Sequence, residues 1–135
     1  MGYEQQYEYL KNLCLKLKPV RVTMDATGMG APVAERFEGD KYLAGFKLHK
    51  ITFSSKSKHE MARHFTKLLE DKLILLPNDN RLLDQMLNQR FRDSGGMRIY
   101  ACPTGEHDDI LWSLILCVFD QRGEVLTYSV LRKRF

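Results

Sequence analysis

Apolar residues follow a helical period in the first segment of the chain and a strand period in the next. The first stripe predicts an amphipathic helix that Pro19 ends, and its members are Tyr7, Leu10, Leu13, Cys14 and Leu17. Over residues 20–24 apolar side chains alternate with Arg21 and Thr23, which indicates a strand. Asp25 stands at the end of that strand, before a glycine-containing turn and a predicted helix over residues 31–38.

Three further elements are predicted in the middle of the chain. Residues 43–53 have the pattern of an extended segment, with a change of alternation near Lys50 that indicates a bulge or a strand end. Ser57 and Glu60 have the spacing of a capping box and predict the start of a helix. The run Leu-Ile-Leu-Leu at residues 73–76 is typical of a strand covered on both faces.

A helix and a strand follow in the pattern. Asp79 or Asn80 is expected to cap the helix. Its buried side is predicted to be Leu83, Met86, Leu87 and Phe91. Gly95 and Gly96 then turn the chain into a predicted strand over residues 97–101.

The last predicted helix spans residues 110–119 and follows an acidic cluster, Glu-His-Asp-Asp, at residues 106–109. Its apolar stripe is expected to be Leu111, Leu114, Ile115 and Val118. Residues 124–130 predict an additional edge strand, and a basic tail follows at residues 132–134. Strands that alternate with helices of this length predict one α/β domain over residues 1–135, with a mostly parallel sheet flanked by helices.

Composition narrows the class of protein only a little. The formal net charge of +4 and the pI near 9.0 favour a polyanionic partner without requiring one. Three cysteines without a CxxC pair indicate reduced thiols in a cytoplasmic setting. The longest apolar run, at residues 110–119, is shorter than the roughly 18 residues of a membrane span, so no membrane partner is predicted.

Asp25 and the acidic cluster are the candidate chemistry. The carboxyl end of a strand is where ligands collect in an open α/β sheet, which makes Asp25 a candidate ligand. The turn after it lacks the third glycine of a dinucleotide fingerprint and the GK[ST] ending of a phosphate loop. Asp108 and Asp109 have a second explanation, because acidic residues in a first helical turn are favoured by the helix dipole alone.

The order of these signals resembles a known family. The stretches VTMDATGMGAPVAERF, FSSKSKHEMARHFTKLLEDKLILLP, LLDQM and GEHDDILWSLIL are similar to the C-terminal nuclease domain of the large terminase subunit of tailed bacteriophages and prophages. The resemblance covers roughly residues 2–119. It implies a ribonuclease-H-like fold, cleavage of double-stranded DNA during genome packaging, and divalent metal held by carboxylates.

Carried onto this chain, the family pattern places metal-binding carboxylates at Asp25 and Asp109, with Asp108 as a possible substitute. His107 is a candidate for orienting a water or a phosphate. The implied metals are Mg²⁺ or Mn²⁺ in a pair about 3.5–4 Å apart. The implied partners are double-stranded DNA and other terminase or portal components, in the cytoplasm of a bacterial host.

Four basic residues around the start of the third helix are candidates for tracking the DNA backbone: Lys50, Lys56, Lys58 and Arg63. A solvated basic helix end is the alternative. Two other functions stay open for the chain. One is a nucleotide-binding module in which Gly28 and Gly30 approach a phosphate, and the other is a packaging-complex remnant that has lost the reaction.

The sequence departs from the family pattern at its start. Family members begin this domain with several strands, the first of which carries another catalytic aspartate. The sequence here begins at the helix that would follow those strands. The resemblance therefore implies an N-terminally truncated domain with feeble nuclease activity or none.

Overall fold

A computed structural model describes residues 2–28 and 30–120 and shows an α/β fold of five helices and four strands within those ranges. In chain order the elements are α1 (Tyr3–Leu17), β1 (Arg21–Asp25), α2 (Gly30–Gly39), β2 (Lys47–Ile51), α3 (Ser55–Glu70), α4 (Asn80–Asn88), β3 (Arg90–Ser94), β4 (Met97–Ala101) and α5 (Asp109–Asp120). The edge strand and basic tail predicted at residues 124–134 lie outside the described residues.

The strands form one parallel pair and one antiparallel hairpin. β1 pairs with β2 in parallel, with Arg21 opposite Lys47 and Asp25 opposite Ile51. Helix α2 makes the crossover between them, as expected for a βαβ unit. β3 and β4 pair through a turn at Gly95 and Gly96, whose φ angles of 58° and 80° favour glycine. The hairpin is tied to α3, because the Arg98 backbone N–H donates to His59 Nδ1 over 3.0 Å.

Two core clusters hold these elements together. The first core cluster joins α3, α4 and α5 through Met61, Ala62, Phe65, Leu82, Leu111, Trp112, Ile115 and Leu116. The second core cluster joins α1, α2 and the segment before β2 through Tyr7, Cys14, Val33, Phe37 and Leu43. Val22 and Met24 of β1 pack against the second cluster, and Ile51 of β2 packs against the first. The parallel pair therefore lies between the two clusters, with the end of β1 at their junction.

Helix caps agree with the predictions in one case and correct them in another. Asp79 caps α4, since its carboxylate accepts from the backbone N–H groups of Arg81 and Leu82. The cap of α3 is Ser54, whose hydroxyl accepts from the Ser57 N–H over 3.0 Å while the Ser57 hydroxyl accepts from the Ser54 N–H over 2.8 Å. The capping box predicted for Ser57 was wrong by one turn, because Ser57 occupies the third helical position.

Two predictions in the middle of the chain were wrong. Residues 73–76 form no strand among the described residues: Ile74 and Leu76 pack against the first core cluster, and Leu75 is 90% exposed. The buried residue of α4 is Leu82; of the predicted residues Met86 packs against the first core cluster, whereas Leu83 and Leu87 are exposed. Phe91, predicted on that helix, belongs to β3 and is half exposed. Within the described residues no helix is long and apolar enough to cross a membrane.

A partly buried ion pair joins α1 to the turn after α2. The Asp40 carboxylate accepts from the Lys11 ammonium over 2.7 Å, from the Tyr7 hydroxyl, and from the Tyr42 backbone N–H over 2.8 Å. The Lys11 and Tyr7 hydrogen bonds, in that order, lower the pKa of Asp40 to about 2. The charged carboxylate is therefore favoured more in the folded chain than in the unfolded chain, where an aspartate has a pKa of about 3.9.

Asp40→Asn is expected to lower the midpoint of thermal unfolding at neutral pH. The folded pKa lies below the unfolded one, so Asp40 contributes stability that is present above about pH 4 and is lost as pH falls through about 2. The variant should therefore show a weaker loss of stability between pH 4 and pH 2, measured by thermal melts. Asp84→Asn, on the exposed side of α4, removes the same charge as a control. Equal acid sensitivity of Asp40→Asn and the wild type would contradict this role.

Candidate functional site

A cavity of about 420 Å³ opens between β1, α1, α2 and α5. Its apolar lining comes from all four elements and from the segment after β2: Leu10, Val22, Met24, Val33, Phe53, Trp112 and Leu116. Among the residues that the structure describes, Asp25 and Asp109 are the carboxylates in this lining. The structure thus brings together two aspartates that are far apart in the sequence, at one mostly apolar cavity.

Asp25 is held by a turn that also fixes the end of β2. Its Oδ1 accepts from the Thr27 backbone N–H over 2.9 Å, which orients the carboxylate. The Thr27 hydroxyl oxygen in turn accepts from the Phe53 N–H over 2.8 Å, and the Ala26 N–H donates to the Ile51 carbonyl over 2.9 Å. The carboxyl ends of the two parallel strands are therefore joined immediately beside Asp25.

Gly30 allows the chain to turn back against β1. A Cβ atom built on Gly30 would lie 2.0 Å from the Asp25 carbonyl oxygen and 3.1 Å from its carbonyl carbon. Any side chain at this position would collide with backbone. The close approach of α2 to the end of β1 thus requires glycine, which gives a physical role to one of the two glycines noted in the sequence.

Asp109 is the first residue of α5 and lies on the helix face that lines the cavity. Trp112, Ser113 and Leu116 follow it at the helical spacing of three, four and seven residues and line the same cavity. The Ser113 hydroxyl donates to the Asp109 carbonyl over 2.7 Å. The Leu111 N–H donates to Gln85 Oε1 over 2.9 Å, which fastens the start of α5 to α4.

Asp108 points to a different partner from Asp109. Its Oδ2 accepts from the Trp112 indole N–H over 3.0 Å, and the same N–H lies 3.2 Å from Gln89 Oε1. Asp108 does not line the cavity. His107 is exposed in the loop before α5. Of the two adjacent aspartates, Asp109 is thus the one that lines the same cavity as Asp25.

The four basic candidates differ in their surroundings. Lys50 pairs with Glu38 at 2.9 Å. Lys58 is partly exposed, and its ammonium lies 4.2 Å from the centroid of the Trp112 ring. Lys56 and Arg63 are exposed on α3.

Sequence reasoning missed the aromatic part of the site. Trp112 and Phe53 line the cavity with their rings 5.9 Å apart in an edge-to-face arrangement. The position of Trp112 three residues after Asp109, on the same helix face, was an available signal. Across residues 2–28 and 30–120, no group of three or more His, Cys, Asp or Glu side chains is placed to hold a metal ion. The cavity therefore offers two carboxylates rather than a larger acidic cluster.

Similarity to known proteins covers most of the chain, although no family model matches it. The chain is 27% identical over 124 residues to the protein named terminase, large subunit, from Thermus phage G20c, and equally to that from Thermus virus P23-45. Each alignment covers 90% of this chain and 25% of the relative. The chain thus spans about a quarter of the length of these relatives.

Two solved structures have the same fold. The crystal structure of the large terminase nuclease from thermophilic phage G20c with bound magnesium matches with a TM-score of 0.70 at 25% identity, over 86% of this chain and 60% of that one. A second crystal structure of the same nuclease matches with a TM-score of 0.68 at 27% identity, over 86% and 61% of the two chains. These similarities confirm the resemblance found in the sequence and the ribonuclease-H-like fold class.

Proposed function

Because the chain is a relative of the terminase large subunits and has the fold of their nuclease domain, we propose that it is a phage DNA-packaging nuclease domain that hydrolyses phosphodiester bonds of double-stranded DNA. The observation that carries this proposal is the presence of Asp25 and Asp109 in the lining of one cavity. Their roles as metal-binding groups are part of the proposal.

The chemistry of the two side chains fits magnesium. Mg²⁺ prefers hard oxygen ligands, is commonly held by one or two carboxylates, and completes its shell with water and substrate phosphate oxygens. Asp25 and Asp109 provide this donor type. Mn²⁺ accepts the same carboxylate ligands and is the natural substitute. Two carboxylates are few for a pair of ions, so the fit is better for one ion than for two.

The residues around the two aspartates prepare the site in two ways. The hydrogen bond from the Thr27 N–H holds the Asp25 carboxylate in one orientation before a ligand arrives. The apolar side chains of the lining lower the local polarity beside the partly buried Asp25, which favours its interaction with a bound cation. When bound, a divalent metal supplies a nucleophilic water and neutralises charge on the scissile phosphate.

DNA is the proposed substrate, and the basic residues of α3 support it. Lys56, Lys58 and Arg63 place positive charge on the helix that packs against α5, where it can contact the phosphate backbone. Lys50 is a weaker candidate, because Glu38 already neutralises it. His107, exposed beside Asp109, remains a candidate for orienting water or phosphate. Other terminase or portal components are proposed partners of the whole packaging machine.

A DNA-binding domain without cleavage is the second candidate. It is favoured by one observation: within the described residues no set of three metal-type side chains converges. Such a domain would keep the basic surface and the fold and would not need a bound metal.

The chain has one tryptophan, and its position at the cavity provides a direct test. Mn²⁺ is paramagnetic and is expected to quench Trp112 fluorescence if it binds between Asp25 and Asp109. Asp109→Asn should raise the Mn²⁺ concentration needed for half quenching at least about tenfold, because a carboxylate ligand is lost. Asp84→Asn, remote from the cavity, should leave it unchanged. Equal quenching of Asp109→Asn and the wild type would exclude the proposed metal site and favour the second candidate.

A further inference from the structure

The Lys58 ammonium group lies over the aromatic side chains that line the cavity. Lys58 Nζ, from the first turns of α3, lies 4.2 Å from the centroid of the Trp112 ring and 6.0 Å from that of Phe53. Both rings line the cavity that contains Asp25 and Asp109. A cation held against the face of an indole ring is attracted by the ring's electrons, so the ammonium has a preferred place beside the site.

The ring beneath Lys58 is itself fixed. Trp112 is 5% exposed, and its indole N–H donates to Asp108 Oδ2 over 3.0 Å and to Gln89 Oε1 over 3.2 Å. Tyr100 also packs edge-to-face on it, with ring centroids 5.8 Å apart. Gln89 just after α4, Tyr100 of β4 and Asp108 just before α5 therefore set the orientation of the ring on which the ammonium rests.

Lys58 keeps its charge available for a ligand. Within residues 2–28 and 30–120, no carboxylate forms an ion pair with it, in contrast to the pair between Lys50 and Glu38. The side chain is partly exposed, so the ammonium can still meet an anion from solvent. An aromatic ring restrains an ammonium without neutralising it, which leaves its full charge for a phosphate.

We propose that Lys58 contacts a backbone phosphate of duplex DNA at the mouth of the cavity. Asp108 is then a positioning residue: it holds Trp112 under the ammonium and is not a metal ligand. This inference rests on the proposed function for the identity of the polyanion. It separates the roles of two adjacent aspartates that the sequence left as alternatives, with Asp109 at the cavity and Asp108 at the indole.

The phosphate contact is tested by duplex binding in EDTA, where neither metal nor hydrolysis takes part. Lys58→Met is expected to weaken binding about three- to tenfold and to reduce the slope of log affinity against log salt by about one. It should also abolish the change in Trp112 emission that DNA causes in the wild type. Lys58→Arg, which keeps a cation able to stack on the ring, should restore both effects. Lys72→Met removes an exposed lysine just past the far end of α3 and should preserve the emission change.

The proposed role of Asp108 predicts a change in DNA affinity opposite to the one that charge alone predicts. Asp108→Ala removes a negative charge, which by charge alone would raise DNA affinity, yet loss of the indole hydrogen bond is expected to lower it. Asp108→Asn keeps a side-chain oxygen for the indole N–H and should retain wild-type DNA binding and Mn²⁺ quenching within about twofold. Thermal melts of each variant check that the fold is retained.

Several results would overturn the inference. The first is a wild-type Trp112 emission that does not change when duplex DNA is added. The second is an emission change in Lys58→Met equal to that of the wild type. The third is a Mn²⁺ concentration for half quenching that rises as much in Asp108→Asn as in Asp109→Asn. Lys58-dependent binding without any Mg²⁺-dependent cleavage would instead support the phosphate contact and count against the proposed nuclease. The two proposals can thus fail separately.

Discussion

Gly30→Ala is expected to destabilise the protein by about 3 kcal/mol, at the upper end of the usual cost of overpacking. The added Cβ would lie 2.0 Å from the Asp25 carbonyl oxygen. Both atoms it meets belong to backbone, so no side-chain rotation can relieve the collision. Helix α2 or the end of β1 must move, and urea denaturation measures the resulting loss of stability.

Gly39→Ala provides a matched control at the other end of the same helix. A Cβ there meets no atom within 4 Å, so the free energy of unfolding should be unchanged or higher by up to about 1 kcal/mol. The collision also displaces the backbone of Asp25. At temperatures where the Gly30→Ala variant is still folded, Mn²⁺ should therefore quench its Trp112 fluorescence more weakly. A Gly30→Ala variant as stable as Gly39→Ala would show that the close approach of α2 to β1 is not required.

The elements nearest the candidate site were predictable from local pattern. Alternation over residues 20–24 predicted β1, and Val22 and Met24 do pack against a core cluster. The structure shortens that strand at its start, since Val20 is 89% exposed and β1 begins at Arg21. Leu111 and Ile115 were likewise predicted on the buried face of α5 and are buried. The predicted stripe of α5 did not include Trp112 and Leu116, which are also buried, so the apolar spacing identified the core contacts only in part.

Other segments were predicted wrongly because the pattern of their apolar residues does not match which side chains are buried. Leu73 and Leu75 point outward while Ile74 and Leu76 pack inward, so the run that looked covered on both faces is covered on one. β3 has no buried residue, and its pattern carries no hydrophobic signal. Its only signal was the Gly95-Gly96 pair, since two glycines between short segments are typical of a hairpin turn.

Some residues of the candidate site were likewise predictable from the sequence, and others were not. Asp25 and Asp109 were identified through the family resemblance, and each stands at the end or start of a predictable element. The Lys58 and Trp112 pair depends on how α3 packs against α5, since the two residues are far apart in the sequence. Nothing local to either residue predicts it, because the contact is created by tertiary packing.

Asp25→Asn and Asp109→Asn are each expected to lower cleavage of duplex DNA at least about a hundredfold, which corresponds to about 2.7 kcal/mol of lost transition-state stabilisation. An amide keeps the size of the side chain and removes the charge that holds a divalent cation. Because the described part of the chain brings two carboxylates to the cavity, wild-type cleavage with Mg²⁺ should itself be slow. Mn²⁺ should increase it, since it binds such sites at least as readily.

Single-turnover cleavage of a linear duplex by the wild type and both variants tests most directly whether the two aspartates act together at one cavity. The predicted result is slow cleavage by the wild type that requires Mg²⁺ or Mn²⁺, loss of that cleavage in Asp25→Asn and in Asp109→Asn, and wild-type cleavage in Asp84→Asn. Metal-dependent cleavage that survives both substitutions would contradict the account and place the reaction at another site.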